Sequence, residues 1–434
     1  MRKAALHNLG CKVNAYETEA MQQMLEDAGY EIVPFKEGAD VYVINTCSVT
    51  NVADKKSRQM LHRAKKMNPS AVVVAAGCYV QAAGEELLKD EAVDIVIGNN
   101  RKQDLTAILD QYFEEHQGAE NIIDIGKTGE YEPLHIRKIS DHTRAFIKVQ
   151  DGCNQFCSYC IIPYARGRVR SRELADVLNE VKGLAESGFQ EVVLTGIHLS
   201  SYGIDNGGSL LELILKTMEV PGIRRVRLGS LEPRIITEEF VNALKDQEKF
   251  CPHFHLSLQS GCDATLKRMN RRYTAEEYYE KCVLLRENFD HPALTTDVIV
   301  GFPGETEEEF AETVAFLKKV AFYETHIFKY SRRKGTKAAV MENQIPEELK
   351  TKRSDILLKL DKEHRKEYEA VLVGTEQEVL FEEEVTIDRK DWFVGHTKEY
   401  VKIAVPAEEN LANQLQMVKV SAERAGDLLA GEVR

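Results

Sequence analysis

The chain has 434 residues, 43% of them hydrophobic and 29% charged, room for two or three domains of ordinary soluble composition. No apolar run approaches the roughly 18 residues of a membrane span, and Met-Arg-Lys-Ala-Ala lacks the apolar core of a signal peptide, so a cytoplasmic location without membrane contact is expected. Nine cysteines, an odd number, argue against a disulfide framework and for metal ligation, while a formal net charge of −13 opposes nucleic-acid binding unless the cations are local.

Residues 1–130 alternate short apolar strands with amphipathic helices. Strands are predicted at Ala4 to Asn8, Asp40 to Ile44, Ala71 to Ala75 and Asp94 to Ile97, and helices at Glu17 to Ala28, Asp54 to Lys66 and Gly84 to Lys89. That order predicts an open parallel α/β domain, whose strand C-termini share one edge. Cys11, Cys47 and Cys78 each follow a strand, in Leu9-Gly-Cys, Asn45-Thr-Cys and Ala76-Gly-Cys, so the topology brings them together as a three-thiolate set. Each alone also reads as a buried free cysteine. Charged, weakly periodic Gly126 to Asp141 reads as a linker.

From Thr143 to Tyr330 six strands alternate with helices: Ala145 to Val149, Glu191 to Leu194, Arg224 to Leu228, His253 to Leu258, Ala293 to Val300 and Glu324 to Tyr330. The clearest helices are Glu173 to Ser187, Thr237 to Asp246, Ala275 to Asn288 and Glu305 to Val320. Six units are too few to close an eight-stranded barrel, so a partial, open (β/α)6 barrel is expected. Cys153, Cys157 and Cys160 follow its first strand as C-x3-C-x2-C. Three thiolates on one loop hold three irons of a [4Fe-4S] cube and leave the fourth open to a small molecule. The alternative, unligated or zinc-bound thiols, lacks zinc's usual second cysteine pair.

Glu347 to Val371 is a long charged helix, followed by short alternating segments at Glu378 to Phe381, Trp392 to His396, Tyr400 to Val405 and Gln416 to Val420. These predict a small antiparallel barrel. Ala370 to Arg434 holds seven Lys or Arg against thirteen Asp or Glu, which leaves RNA contact by this tail in question. Elsewhere cations cluster at Lys55 to Lys66, Arg166 to Arg172, Lys267 to Arg272 and Lys329 to Lys337, each by itself an ordinary solvated face.

Cys157-Ser-Tyr-Cys-Ile-Ile-Pro-Tyr-Ala-Arg-Gly-Arg-Val-Arg-Ser-Arg172, Gly10-Cys-Lys-Val-Asn, Asn45-Thr-Cys-Ser-Val-Thr-Asn and Gly77-Cys-Tyr-Val-Gln81 resemble the signatures of the radical S-adenosylmethionine (radical SAM) methylthiotransferases, most closely the MtaB branch. The resemblance covers nearly the whole chain. It implies a methylthiotransferase N-terminal domain at 1–130, a radical SAM barrel at 131–367 and a TRAM-like barrel at 368–434. It implies two [4Fe-4S] clusters, one catalytic on Cys153, Cys157 and Cys160 and one auxiliary on Cys11, Cys47 and Cys78. The open iron of the catalytic cluster would chelate S-adenosylmethionine, whose reductive cleavage gives a radical that takes hydrogen from C2 of an adenosine. The implied substrate is N6-threonylcarbamoyladenosine at position 37 in the anticodon loop of tRNA; isopentenyladenosine in tRNA and a ribosomal-protein aspartate are the alternatives within the family. Outside it, a non-catalytic Fe-S or RNA-binding module is the remaining alternative. An electron donor such as a flavodoxin or ferredoxin is implied, and the sulfur donor is not named by the sequence.

By the same resemblance Thr195 and Gly196 would approach the methionine amino group, Ser257 and Gln259 the ribose, and Val300, Gly301 and Phe302 the adenine. Gly301-Phe-Pro-Gly-Glu-Thr306 also reads as a plain turn and helix start. Arg166 and Arg168 are candidates to pair with the carboxylate of SAM or of the threonyl group, or are exposed loop residues; Glu232 ends the third strand with its role open. Tyr159, Tyr164 and Phe302 are candidate stacking partners for a splayed base, and Ser331-Arg-Arg-Lys-Gly-Thr336 a candidate phosphate contact. Cys251, Cys262 and Cys282 match no signature and read as structural.

Overall fold

The computed structural model describes residues 1–115, 119–138 and 143–434. In the N-terminal part, β1 (Lys3–Asn8), β2 (Glu31–Ile32), β3 (Val41–Thr46), β4 (Val72–Gly77), β5 (Ile95–Ile97) and β6 (Ala119–Asn121) form one parallel sheet in the order β2-β1-β3-β4-β5-β6. Val-Tyr-Val-Ile-Asn-Thr and Val-Val-Val-Ala-Ala-Gly are apolar almost throughout because these central strands are covered on both faces. Val41 and Val43 pack with α1 (Lys12–Asp27) and α4 (Leu105–Glu115), whereas Tyr42 and Ile44 pack with α2 (Asn51–Met67) and α3 (Cys78–Leu87).

Two helices start earlier than their apolar periodicity indicates. The expected Glu17 to Ala28 begins at Lys12, and the expected Gly84 to Lys89 begins at Cys78, with a non-helical turn at Ala83. The break at Ala83 separates the first turn of α3 from the rest of its pattern. The periodicity also omits α4, and it omits β2 and β6 because two- and three-residue strands carry too few positions to show a pattern. The expected linker is a packed strap: Leu134 and Ile136 are buried, and the Tyr131 hydroxyl donates to the Lys148 carbonyl at 2.7 Å. Its last three residues, 139–141, lie outside the described residues.

The central part follows as β7 (Arg144–Asp151), α5 (Ile162–Arg166), β8 (Arg170–Ser171), α6 (Leu174–Glu186), β9 (Glu191–Gly196), α7 (Leu210–Glu219), β10 (Arg225–Leu228), α8 (Glu238–Leu244) and β11 (His253–His255). It continues through α9 (Asp263–Arg268), α10 (Ala275–Asn288), β12 (Ala293–Val300), α11 (Glu307–Val320), β13 (Glu324–Lys329) and α12 (Glu347–Ala370). Two sheets, β10-β9-β7-β8 and β11-β12-β13, are stitched together by a parallel bridge between Leu231 and Leu256, giving the expected open run of six parallel strands plus antiparallel β8 on one edge. Ala145, Ile147, Val149, Leu256 and Val298 face the helical layer, while their strand neighbours Lys148, His255 and Asp297 are absent from that core and face the lumen.

The tail forms a closed five-stranded barrel, β14 (Glu376–Ile387), β15 (Lys390–His396), β16 (Lys402–Pro406), β17 (Leu415–Ala425) and β18 (Leu428–Val433), in the order β14-β15-β16-β18-β17. One pair, β16 with β18, is parallel, so the barrel is not wholly antiparallel, and β18 is a fifth strand beyond the four expected. The barrel covers the N-terminal ends of the central strands. Arg225 donates to the Glu378 carboxylate at 3.0 Å and the His396 carbonyl at 2.9 Å, and Arg227 to the Lys398 carbonyl at 2.8 Å. Tyr400, at φ +72°, is stacked between His253 and His396 with ring centroids 4.7 and 4.4 Å away.

Candidate active site

Short βα turns place Cys11 at the N-cap of α1, Cys47 directly after β3 and Cys78 as the first residue of α3. Because β1, β3 and β4 are adjacent, the three thiols gather at one sheet edge. Asn14 binds their loops together, donating to the carbonyls of Leu9 at 2.7 Å and Thr46 at 3.0 Å. Gly77 has φ +98°, and a Cβ there would lie 2.5 Å from Asn45 Oδ1, so only glycine fits beneath Cys78. Burial pushes the Cys47 thiol up to about 11, with Cys78 and Cys11 adding to the rise. Cys11 is reached by solvent yet set deep among protein atoms, and burial raises its thiol against the pull of Arg166.

The second set occupies the loop after β7. Gly152, at φ +71°, lets this loop run against the 167–168 backbone, where a Cβ would meet the Arg168 carbonyl at 1.8 Å. The loop is held from both sides: Cys153 N–H donates to Gly167 O at 3.0 Å, Ser158 N–H to Met269 O at 3.0 Å, and Ala338 N–H to Ser158 O at 2.7 Å. Burial pushes Cys153 up to about 11 and Cys160 up to about 12, with neighbouring thiols contributing to both. Arg271, half-buried at the lip of the loop, donates to Cys157 Sγ at 3.4 Å and to the Ser257 carbonyl at 3.1 Å. Each set therefore gathers three soft donors, with an arginine N–H on one sulfur. Such a set fits an iron–sulfur centre, whose positive charge favours the thiolates and whose properties N–H···S bonds tune.

Of the residues assigned to SAM by resemblance, Thr195, Gly196, Ser257, Gln259, Val300 and Gly301 all lie at or just beyond the C-terminal ends of β9, β11 and β12. Gln259 adopts φ +73°, unusual for a side-chain-bearing residue, and its N–H donates to the Asp297 carbonyl at 2.8 Å. Gly301 at φ +70° donates its N–H to the Glu305 carboxylate at 2.7 Å, and α11 starts from a capping box of Thr306 and Glu309. The turn reading and the site reading thus coincide in one segment.

Two of the candidate residues have side chains engaged within the protein. Arg166 reaches into the N-terminal thiol set. Its Nε donates to Cys78 Sγ at 3.1 Å, Nη1 to Glu17 at 2.7 Å and Asp151 at 3.2 Å, and Nη2 to Asn14 at 2.7 Å and Glu17 at 3.0 Å. All five of its donors are engaged, so no fork remains for a substrate carboxylate. Phe302 is fully buried among Met269, Tyr330 and Ala338, so its ring serves the core. Tyr159 is half-buried against it, whereas Tyr164 is exposed beside Phe156, over which Arg168 stacks at 4.6 Å. Glu232 is buried and paired with Arg234 at 2.7 Å, near enough to raise the Cys153 thiol slightly. Cys251, Cys262 and Cys282 are buried.

The 166–172 basic run is also not a phosphate-facing patch, because Arg166, Arg170 and Arg172 are buried and only Arg168 is exposed. Arg271 and Arg333, which lie inside basic runs of the sequence, are drawn into the two thiol loops. Arg333 is buried, donating to Ser48 at 2.7 Å and pairing with Asp54, and so fastens the 331–336 loop to the Cys47 loop.

Residues 3–98 match the family described as "Uncharacterized protein family UPF0004" and residues 147–317 the Radical SAM superfamily. The chain is 42% identical to the threonylcarbamoyladenosine tRNA methylthiotransferase MtaB of Bacillus subtilis (strain 168), over 97% of this chain and 94% of that one. It is 44% identical to the protein of the same name from Aquifex aeolicus (strain VF5), over 88% and 93%. The tRNA-2-methylthio-N(6)-dimethylallyladenosine synthase of Acetivibrio thermocellus is 36% identical, over 99% and 90%. Among solved structures, the radical S-adenosylmethionine methyltransferase TsrM from Kitasatospora setae superposes with a TM-score of 0.59 over 78% of this chain and 77% of that one, at 18% identity, a likeness of fold.

Proposed function

Because the chain belongs to the radical SAM methylthiotransferase family, we infer that it converts N6-threonylcarbamoyladenosine at position 37 of tRNA to the 2-methylthio derivative, replacing C2–H by C2–S–CH3. One observation carries the reading. Arg166, six residues after Cys160, is hydrogen-bonded to Cys78, so two three-thiol sets are joined through one interior. A single set suffices for radical generation; the second supplies a separate place from which sulfur can be delivered. Threonylcarbamoyladenosine is the substrate in the names of relatives at 42 and 44% identity, against dimethylallyladenosine at 36%, which supports the first.

In this reading Cys153, Cys157 and Cys160 hold one [4Fe-4S] cluster and Cys11, Cys47 and Cys78 another, with S-adenosylmethionine along Thr195, Gly196, Ser257, Gln259, Val300 and Gly301. When bound, these groups supply the radical, sulfur and methyl chemistry. The chain's own part is placement. Arg271 fixes Cys157 relative to Ser257, and Gly152 and Gly77 allow the close turns beneath each thiol set. A flavodoxin- or ferredoxin-type electron donor and a cytoplasmic setting complete the reading; no helix of the described residues is long and apolar enough to cross a membrane.

The test separates the two centres. After anaerobic reconstitution, Cys157→Ala should abolish SAM cleavage, whereas Cys47→Ala should retain cleavage and lose thiolation of the RNA. Thiolation persisting in either variant would refute the assignment.

A further inference from the structure

Three neighbouring strands carry an unassigned polar group on the lumen side of the barrel. His255 on β11 bonds through Nδ1 to Thr295 Oγ1 at 3.0 Å and through Nε2 to Asp297 Oδ2 at 3.1 Å. His326 on β13 pairs in register with Asp297, its ring centroid lies 5.5 Å from that of His255, and potential ligating atoms of all three lie within 4.8 Å of one another. Two residues on, hence on the same face, Phe328 is 48% exposed, an uncommon state for a phenylalanine on an interior-facing strand position.

The position is as informative as the composition. β13 is the edge of its sheet, and His326 and Phe328 are both exposed there. The Asp297 carbonyl accepts from Gln259 N–H at 2.8 Å, and Arg271, which acts on the Asp297 carboxylate, is bonded to Cys157. The group thus borders the same space as the central thiols.

We propose that His255, Asp297, His326 and Phe328 form the seat of the modified adenosine and select its N6 substituent. This deepens the functional reading above and rests on it. A threonylcarbamoyl group carries a carboxylate, a hydroxyl and an amide N–H, whereas a dimethylallyl group carries none. His326 donates to the carboxylate, Asp297, held in place by His255, accepts from the hydroxyl or amide, and Phe328 stacks on the base. A wall of two imidazoles and a carboxylate would leave an alkenyl chain against unpaired polar groups, the situation in which a site discriminates most strongly.

The experiment uses the full-length reconstituted enzyme and two anticodon stem-loops, one carrying N6-threonylcarbamoyladenosine and one N6-dimethylallyladenosine. Wild type should prefer the first in kcat/KM. His326→Leu should lower that preference roughly 10- to 100-fold, His326→Gln, which keeps a donor, should restore part of it, and Phe328→Leu should weaken both RNAs together. Iron content and cluster absorbance identify any misfolded variant. An unchanged preference in His326→Leu, with clusters intact, would overturn the proposal, as would a wild type that prefers the dimethylallyl RNA. A wild type that thiolates neither RNA would overturn the functional reading and this proposal together.

Discussion

Glu17, Asp151, Lys102, Lys148 and Arg166 are all buried and form one network beneath Cys78, with Lys148 Nζ 2.8 Å from Glu17 and 2.7 Å from Asp151. Against its burial, the Glu17 carboxyl is held well below its ordinary range by Arg166, Lys102 and Lys148. Removing Arg166 takes five hydrogen bonds from Cys78, Glu17, Asp151 and Asn14 in a buried site, although Lys102 and Lys148 still face the acids. Arg166→Leu should therefore cost about 3–5 kcal/mol and displace Cys78, read as a lowered thermal midpoint and loss of iron from the N-terminal set with the central set retained. Little of this was legible beforehand. The six cysteines announce themselves by spacing, but an arginine run looks the same whether it meets water or, as here, an acid 149 residues earlier in the chain.

At the scale of elements, the tail barrel acts as the floor of the lumen. Tyr400 inserts between His253 and His396 and is ringed by Arg144 and Arg227, each 5.0 Å from its centroid, and Lys12, at 5.9 Å. Burial and these cations hold both histidines in the neutral form: His396 is pushed from 6.5 down to about 4 despite Glu382, and His253 well below its usual value. The unfolded chain therefore binds protons that the folded one does not. Their stabilising contribution is complete above pH 6.5 and is lost as pH falls toward about 4. Glu382, lowered against its burial to about 2 by His396 and Arg144, extends the acid sensitivity further down. Thermal unfolding followed by tail-barrel fluorescence of Trp392 should show a midpoint that drops between pH 7 and 5 in wild type; His396→Gln should flatten part of that slope. A pH-independent midpoint would contradict this account of the docking. The tail's alternation foretold a barrel, but the insertion of Tyr400 depends on a left-handed residue in a loop, which no periodicity encodes.

Across the whole molecule the acidic total conceals one positive strip. On α2 the exposed side chains are Asn51, Val52, Lys55, Lys56, Arg58, Gln59, His62, Arg63 and Lys66, without an acid among them. The strip continues onto the 331–336 loop, where Arg332 and Lys334 are exposed and Asn51 Nδ2 donates to the Arg332 carbonyl at 2.9 Å. Two of the four basic runs are thus joined outside the thiol rim, a third is buried, and the acidic tail sits at the opposite end of the barrel. Replacing Lys55, Lys56, Arg63 and Lys66 by Gln should weaken tRNA binding at all sequences and make the slope of log K against log salt shallower by about 0.7–0.9 for each phosphate no longer neutralised. An unchanged slope would place the RNA elsewhere. The order of domains was readable because each carries its own periodicity, while the relation between runs distant in sequence was not.

The central claim, methylthiolation of one tRNA nucleoside, is tested most directly by mass spectrometry of nucleosides from total tRNA in a strain lacking this protein and in the same strain with it restored. Disappearance of 2-methylthio-N6-threonylcarbamoyladenosine on removal and its return on complementation is the predicted result. Persistence of that nucleoside while 2-methylthio-N6-dimethylallyladenosine is lost and regained would contradict the substrate assignment and leave the chemistry standing.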